Sequence, residues 1–160
     1  MTNNTEELMT AAIAAARHSP NHVRRVGAVL VPAAGGPHLL ACNTFPRGVH
    51  DTALRHTGNG RLIWMEHAER NAIYAAARAG VALEGATLAS SYFPCVDCAR
   101  AIVQSGIAHI HTLQPDLSDP VWGESFGYSR TVLEEAGIQL HFSTRDPAEV
   151  HASTMALPEL

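Results

Sequence analysis

Two short stretches of this 160-residue chain hold residues that could do chemistry together: His67-Ala68-Glu69 and Pro94-Cys95-Val96-Asp97-Cys98. Cysteines three apart lie on one helical face, so both sulfurs can reach one point. In a helix's first turn the backbone dipole favours thiolate, the form that binds zinc. Pro94 suits that helix start, where a missing N–H costs nothing. A lone CxxC is weak testimony to a metal. His67 and Glu69 are also ordinary when seen alone: a solvated helix-opening histidine, and a carboxylate that complements the dipole.

The combination says more. Residues two apart on a helix diverge, so His67 and Glu69 cannot share a site on the flank, but both can reach a group above the N-terminal end. If both helices start at one sheet edge, His67 (through Nδ1 or Nε2) and two thiolates supply three zinc ligands. Three protein ligands plus one water is the open, catalytic form of zinc site; a structural site would want a fourth residue. Glu69 then gains a purpose: it can take a proton from that water and return it to a leaving nitrogen.

The elements that must position these groups follow from patterning. Residues 5–18 read as an amphipathic helix with Thr5 as N-cap and Glu6 and Glu7 near its positive end. VGAVLV (26–31) reads as a buried strand, AAGGP (33–37) as a turn and HLLAC (38–42) as the returning strand of a hairpin. Residues 43–61 are too rich in Gly, Pro, Asn and His for a packed element and read as a long functional loop. Residues 66–79 form a helix stopped by Gly80. Residues 86–92 form a strand, 96–105 a helix and 109–113 a strand. QPDLSDPVWGESFGY (114–128) reads as loop, 129–137 as helix, 138–143 as the last strand, and the chain after about Arg145 as a tail. The order α-β-β-α-β-α-β-α-β implies an α/β fold of three layers, α/β/α, around a five-stranded mixed sheet. Strands four and five, separated by a helix, are parallel.

Bulk properties bound the partners. Length gives one domain over 1–160, long enough to bury roughly 70% of its unfolded surface, with its core at about 5–143. The chain is 46% hydrophobic and 16% charged, with a net charge of −4. That excludes a broad footprint for a nucleic-acid polymer, while leaving room for a small phosphorylated ligand that needs only an arginine or two. No stretch suits a secretory signal or a membrane span, so the reading is cytoplasmic. In a reducing compartment Cys95 and Cys98 are a metal or redox pair before they are a disulfide, and Cys42 is a small buried hydrophobe.

On His67-Ala68-Glu69, Pro94-Cys95-Val96-Asp97-Cys98, the VGAVLV strand and AIVQSGI (101–107), the chain resembles the cytidine/deoxycytidylate deaminase superfamily over roughly residues 5–143. The resemblance implies Zn²⁺ held by His67, Cys95 and Cys98, with Glu69 as proton shuttle. The implied reaction is hydrolytic loss of ammonia from an amidine-like ring carbon. CNTFPRGVHD (42–51) looks like the NGFPRG loop of deoxycytidylate deaminases. The helix between the last two strands also fits the branch that contains the deoxycytidylate, guanine and tRNA-adenosine enzymes. The implied substrate is a small nucleotide, dCMP first, with an unphosphorylated nucleoside or free base (cytosine, guanine or another amino-heterocycle) as the alternative. Asn43 offers a donor and an acceptor to a sugar or ring edge, Arg47 a bidentate pair to phosphate, and Ala68 and Pro94 complete the expected substrate contacts. Ala41-Cys42-Asn43-Thr44-Phe45 departs from the GYNGF typical of that branch, so its nucleotide regulation is not carried over. Trp122 and Phe126 read as packing for the last helix, although they could close over a planar ring. The remaining histidines show no ligand spacing. A homo-oligomer is expected from the family.

Overall fold

The computed structural model describes residues 4–157. Helix α1 (Thr5–Ala16) is capped by Asn4, whose side chain accepts from the Glu6 amide, and not by Thr5. Thr5 is spent elsewhere: its hydroxyl meets His111 Nδ1 at 2.9 Å. Strands β1 (Gly27–Val31) and β2 (Leu39–Cys42) form the expected hairpin, pairing Gly27 with Cys42 and Leu30 with Leu39. Then come α2 (Gly60–Trp64), α3 (Ala68–Ala79), β3 (Thr87–Ser90), α4 (Val96–Gln104), β4 (His109–Thr112), α5 (Gly123–Glu135), β5 (Gln139–Phe142) and α6 (Pro147–Met155).

The sheet order is β2-β1-β3-β4-β5. β1 is antiparallel to both neighbours, while β3–β4 and β4–β5 are parallel, as the intervening helix requires. Strand alternation divides the core. Ala28, Leu30, Leu88 and Ile110 face α3, α4 and α5, whereas Val29 and Ala89 meet Leu8 and Ala12 of α1. Helices therefore cover both faces. Gly27 shows how close α1 comes: a Cβ there would lie 1.9 Å from the Ala12 carbonyl oxygen, so only glycine permits the crossing.

Three segments depart from the expectation. The 43–61 loop contains a 3-10 turn at Ala53–His56 and leads into α2, whose local backbone bonds tie Gly60 to Thr57 and Leu62 to Asn59. Helix α5 starts six residues before 129, because Asp119 accepts from the Val121 and Trp122 amides and organises the turn that launches it. The segment read as a tail forms α6, capped by Asp146 with Pro147 in its first turn, and buries Val150 against Met9, Ile13 and Leu113. Residues 158–160 of that segment lie outside the described residues. Among the described residues, no helix is long and apolar enough to cross a membrane.

The α1 face of β4 and β5 carries an unusual group. His111 stacks on His141 at 4.3 Å, and His141 Nε2 lies 3.3 Å from His109 Nδ1. Burial, and then the neighbouring His141 and His109, lower the His111 pKa to about 4. A base depressed in the folded state is protonated more readily when unfolded. Stability is therefore complete above pH 6.5 and is lost as pH falls from there towards 4. The expected loss is on the order of 2 kcal/mol, read as a falling urea midpoint between pH 7 and 4.5. His111→Gln should flatten that slope; an unchanged slope would remove His111 as its source.

Candidate active site

His67 and Cys95 occupy equivalent positions. Each is the residue just before a helix, extended in backbone (ψ 151° and 170°), and neither side chain caps its own helix. Both side chains are therefore free to turn towards a common point. The caps come from other residues. Glu66 Oε1 accepts from the His67 amide at 2.9 Å and from Arg70 Nε at 2.6 Å. Across the α4–α5 contact, Ser125 Oγ accepts from the Val96 amide at 2.9 Å. Losing a cap of this kind costs about 1 kcal/mol. Ser125→Ala is accordingly expected to lower the urea midpoint modestly and weaken zinc about 10-fold, since Cys95 loses its support. Chelator competition that returns the parent affinity would show that the cap does not hold the ligand.

His67 Nδ1 lies 3.4 Å from Cys95 Sγ and 3.5 Å from Cys98 Sγ. The three ligand atoms lie within 4.8 Å of one another, and no other such metal-ligating group occurs among the described residues. A tetrahedral zinc ion bonded at about 2.0–2.3 Å spaces its ligands about 3.3–3.8 Å apart, which the nitrogen–sulfur separations match. The thiol chemistry fits as well. The Cys98 thiol beside it and then His67, both acting against burial, hold Cys95 down to about 4. Proximity to Cys95, together with burial, pushes Cys98 well up. Two sulfurs thus share one proton, and a dication between them favours both as thiolates. Burial works against the Arg70 charge, but the thiolate charge shared by Cys98 and Cys95, with the Glu66 carboxylate, outweighs it and keeps the guanidinium protonated.

Glu69, in the first turn of α3, is buried, with Ser90 Oγ donating to its Oε1 at 3.1 Å and its Oε2 3.6 Å from Cys98 Sγ. Burial raises its pKa, so the carboxyl can hold a proton as well as release one. His67, Glu69 and Cys95 open onto a cavity walled by Met65, Phe93, Trp122 and Phe126. Trp122 stands edge-on to the His67 ring at 5.4 Å, and Phe126 packs edge-on to Phe93 at 5.8 Å. The two aromatics read as packing are therefore also walls of the cavity.

The other sequence candidates divide. Ala68 lines the cavity with no exposed surface. Asn43 lines it too, but Oδ1 accepts from the Val26 amide at 2.8 Å and Nδ2 donates to the Arg24 carbonyl at 3.0 Å, so much of its polarity secures the start of β1. Pro94 is fully buried and does not line the cavity. Arg47 is exposed on the loop and does not line it either. The cavity's arginines are Arg24 and Arg61, neither singled out from sequence. No local pattern marks them, since their relation to His67 exists only after folding.

The family model described as the cytidine and deoxycytidylate deaminase zinc-binding region matches residues 2–114. The chain belongs to that family, and its cluster of His67, Cys95 and Cys98 fits the zinc ion for which the region is described. An uncharacterised deaminase of Aliivibrio fischeri is 33% identical over 101 residues, covering 61% of this chain and 65% of that one. The deoxycytidylate deaminase of Enterobacteria phage T2 is 43% identical over 75 residues, covering 46% of this chain and 36% of the phage protein. The chain thus spans under two thirds of the length of these relatives. In fold, it is similar to the dCMP deaminase of cyanophage S-TIM5, with a TM-score of 0.68 and 23% identity over 87% of this chain and 96% of that one.

Proposed function

We propose that the chain is a zinc-dependent hydrolytic deaminase of a small nucleotide, converting dCMP to dUMP and ammonia. The observation that carries this reading is the buried Glu69 carboxylate beside the three-ligand cluster, facing a cavity with aromatic walls. Metal retention alone does not need that carboxylate. The T2 phage relative, a deoxycytidylate deaminase, supports the choice of substrate.

His67, Cys95 and Cys98 hold the zinc ion, which supplies Lewis acidity that brings the pKa of a water towards neutrality. Phe93, Phe126 and Trp122 hold the pyrimidine and keep bulk water out. Glu69 accepts a proton from the attacking water as its oxygen bonds to ring C4, and delivers that proton to N3. It then takes the remaining hydroxyl proton and passes it to the 4-amino group. The C4–N bond breaks, ammonia leaves and a carbonyl remains, so atoms and protons balance. Ser90, by donating to Glu69 Oε1, fixes the carboxylate's orientation through this exchange. Asn43 retains one amide hydrogen and one lone pair for the sugar, and Ala68 lets the ring approach α3 closely.

The exposed position of Arg47 favours a second reading, in which the substrate is an unphosphorylated nucleoside or free base. Ammonia release by zinc-loaded protein over dCMP, CMP, deoxycytidine, cytosine, guanine and adenine separates the two. Turnover largely confined to dCMP is expected; turnover of a base or nucleoside without dCMP would sink the nucleotide assignment. The same reading includes a reducing, cytoplasmic setting, where both thiols stay available to metal. It also includes a homo-oligomer, supported by the exposed Leu54, Leu62, Ile63 and Trp64 on the segment that borders the cavity.

A further inference from the structure

We infer that Arg61, and not Arg47, is the cation that receives the substrate's phosphate; this rests on the nucleotide reading above. The cavity has two arginines, and they differ in one respect. Arg24 is already engaged: its Nη2 meets Asp119 Oδ2 at 2.8 Å, and its guanidinium lies over the Tyr92 ring at 5.0 Å. Asp119 also accepts from the Val121 and Trp122 amides, so the Arg24–Asp119 pair is a brace that sets Trp122 at the start of α5. Its charge is cancelled where it stands. Arg61 is half-buried in the cavity wall and has no carboxylate within ion-pair distance among the described residues. A guanidinium that is partly desolvated and unpaired beside a substrate cavity calls for an anion from the ligand.

The segment around Arg61 is built to hold it. Arg61 sits in α2, six residues before His67. One end of this stretch is fixed by the Thr44–Glu66 bridge, whose backbone bonds run 3.1 and 2.8 Å, and by the buried Met65 between α2 and that bridge. At the other, the Arg55 guanidinium lies over the Trp64 ring at 4.1 Å, folding the 3-10 turn onto α2. Arg61 is thus carried on a braced segment tied to the metal-ligand helix, whereas Arg47 projects from the loop into solvent. A fork of N–H donors suits a phosphate, whose oxygens it can grip in pairs.

Arg61→Gln and Arg61→Lys test this, with zinc content and circular dichroism confirming that each variant folds. Steady-state kinetics with dCMP and deoxycytidine give the readout. Arg61→Gln should raise KM for dCMP about 10- to 100-fold, with kcat and deoxycytidine turnover changed far less. Arg61→Lys should fall between, and the rise of the dCMP KM with salt should flatten in Arg61→Gln. Parent kinetics on dCMP retained in Arg61→Gln would overturn the assignment while leaving the deaminase reading intact. So would an equal loss on both substrates, or a loss that follows Arg47→Gln instead. A parent protein that deaminates deoxycytidine or a free base but not dCMP would remove both the nucleotide reading and this role for Arg61.

Discussion

Glu69→Gln is expected to bind zinc as the parent does and to turn over dCMP about 10³- to 10⁴-fold more slowly, the upper range for a general acid–base group. The substitution is nearly isosteric, and an amide oxygen can still accept from Ser90 Oγ, so the packing of α3 against β3 has no reason to change. What disappears is a group that can carry a proton from the attacking water to the ring and then to the leaving nitrogen. His67, Cys95 and Cys98 are untouched, so metal content separates this variant from one that has lost its site. Normal turnover by zinc-loaded Glu69→Gln would refute the assigned mechanism.

A different signature is expected from Cys98→Ala. Cys98 has no exposed surface and packs in the core shared by α3, α4 and α5. The substitution removes a ligand, leaving His67 and Cys95 to hold the ion, and opens a small void. Zinc affinity should fall by more than about 100-fold, beyond what loss of a supporting group costs, and turnover should fall to background. The thermal midpoint should drop and lose its dependence on added zinc, since a ligand stabilises only as far as it binds the folded state. Zinc titration followed by differential scanning measures both effects. A Cys98→Ala protein that kept stoichiometric zinc and activity would show that the metal sits elsewhere.

Much of this site can be read before folding, because its key residues sit at places where local rules are strong. Gly80 closes α3 in the left-handed conformation (φ 67°), as its position predicts. The sheet's parallel half follows from a helix between each pair of strands. The ligand trio is legible because each half lies at the head of a helix, and two helices beginning at one sheet edge bring their heads together. Short-range punctuation misleads at 114–128, where two glycines and two prolines suggest loop although Asp119 is already organising a helix start. A helix is missed again at 146–150, this time against a local signal that favours it. Asp146-Pro147 followed by Glu149 is a proper helix opening, and the apparent tail is a packed element. Ser125, Arg24 and Arg61 are invisible at that level. Each matters through a partner or cavity far along the chain, and neither spacing nor composition encodes such relations.

The position of β1 has a consequence for how the protein acquires its metal. β1 lies between β2 and β3, so the chain leaving β2 must pass through α3, already carrying His67, before β3 can pair on the far side of β1. Cys95 and Cys98 follow β3 directly. Helix α3 packs chiefly on β1 and β2, whereas the cysteines follow β3, so the pairing that sets the two halves of the ligand set side by side, Ala28 with Ser90, closes a span of more than sixty residues. Closures of that span are slow steps in folding. Zinc capture should accordingly follow assembly of the central strands, and metal uptake during refolding would serve as a clock for β1–β3 pairing.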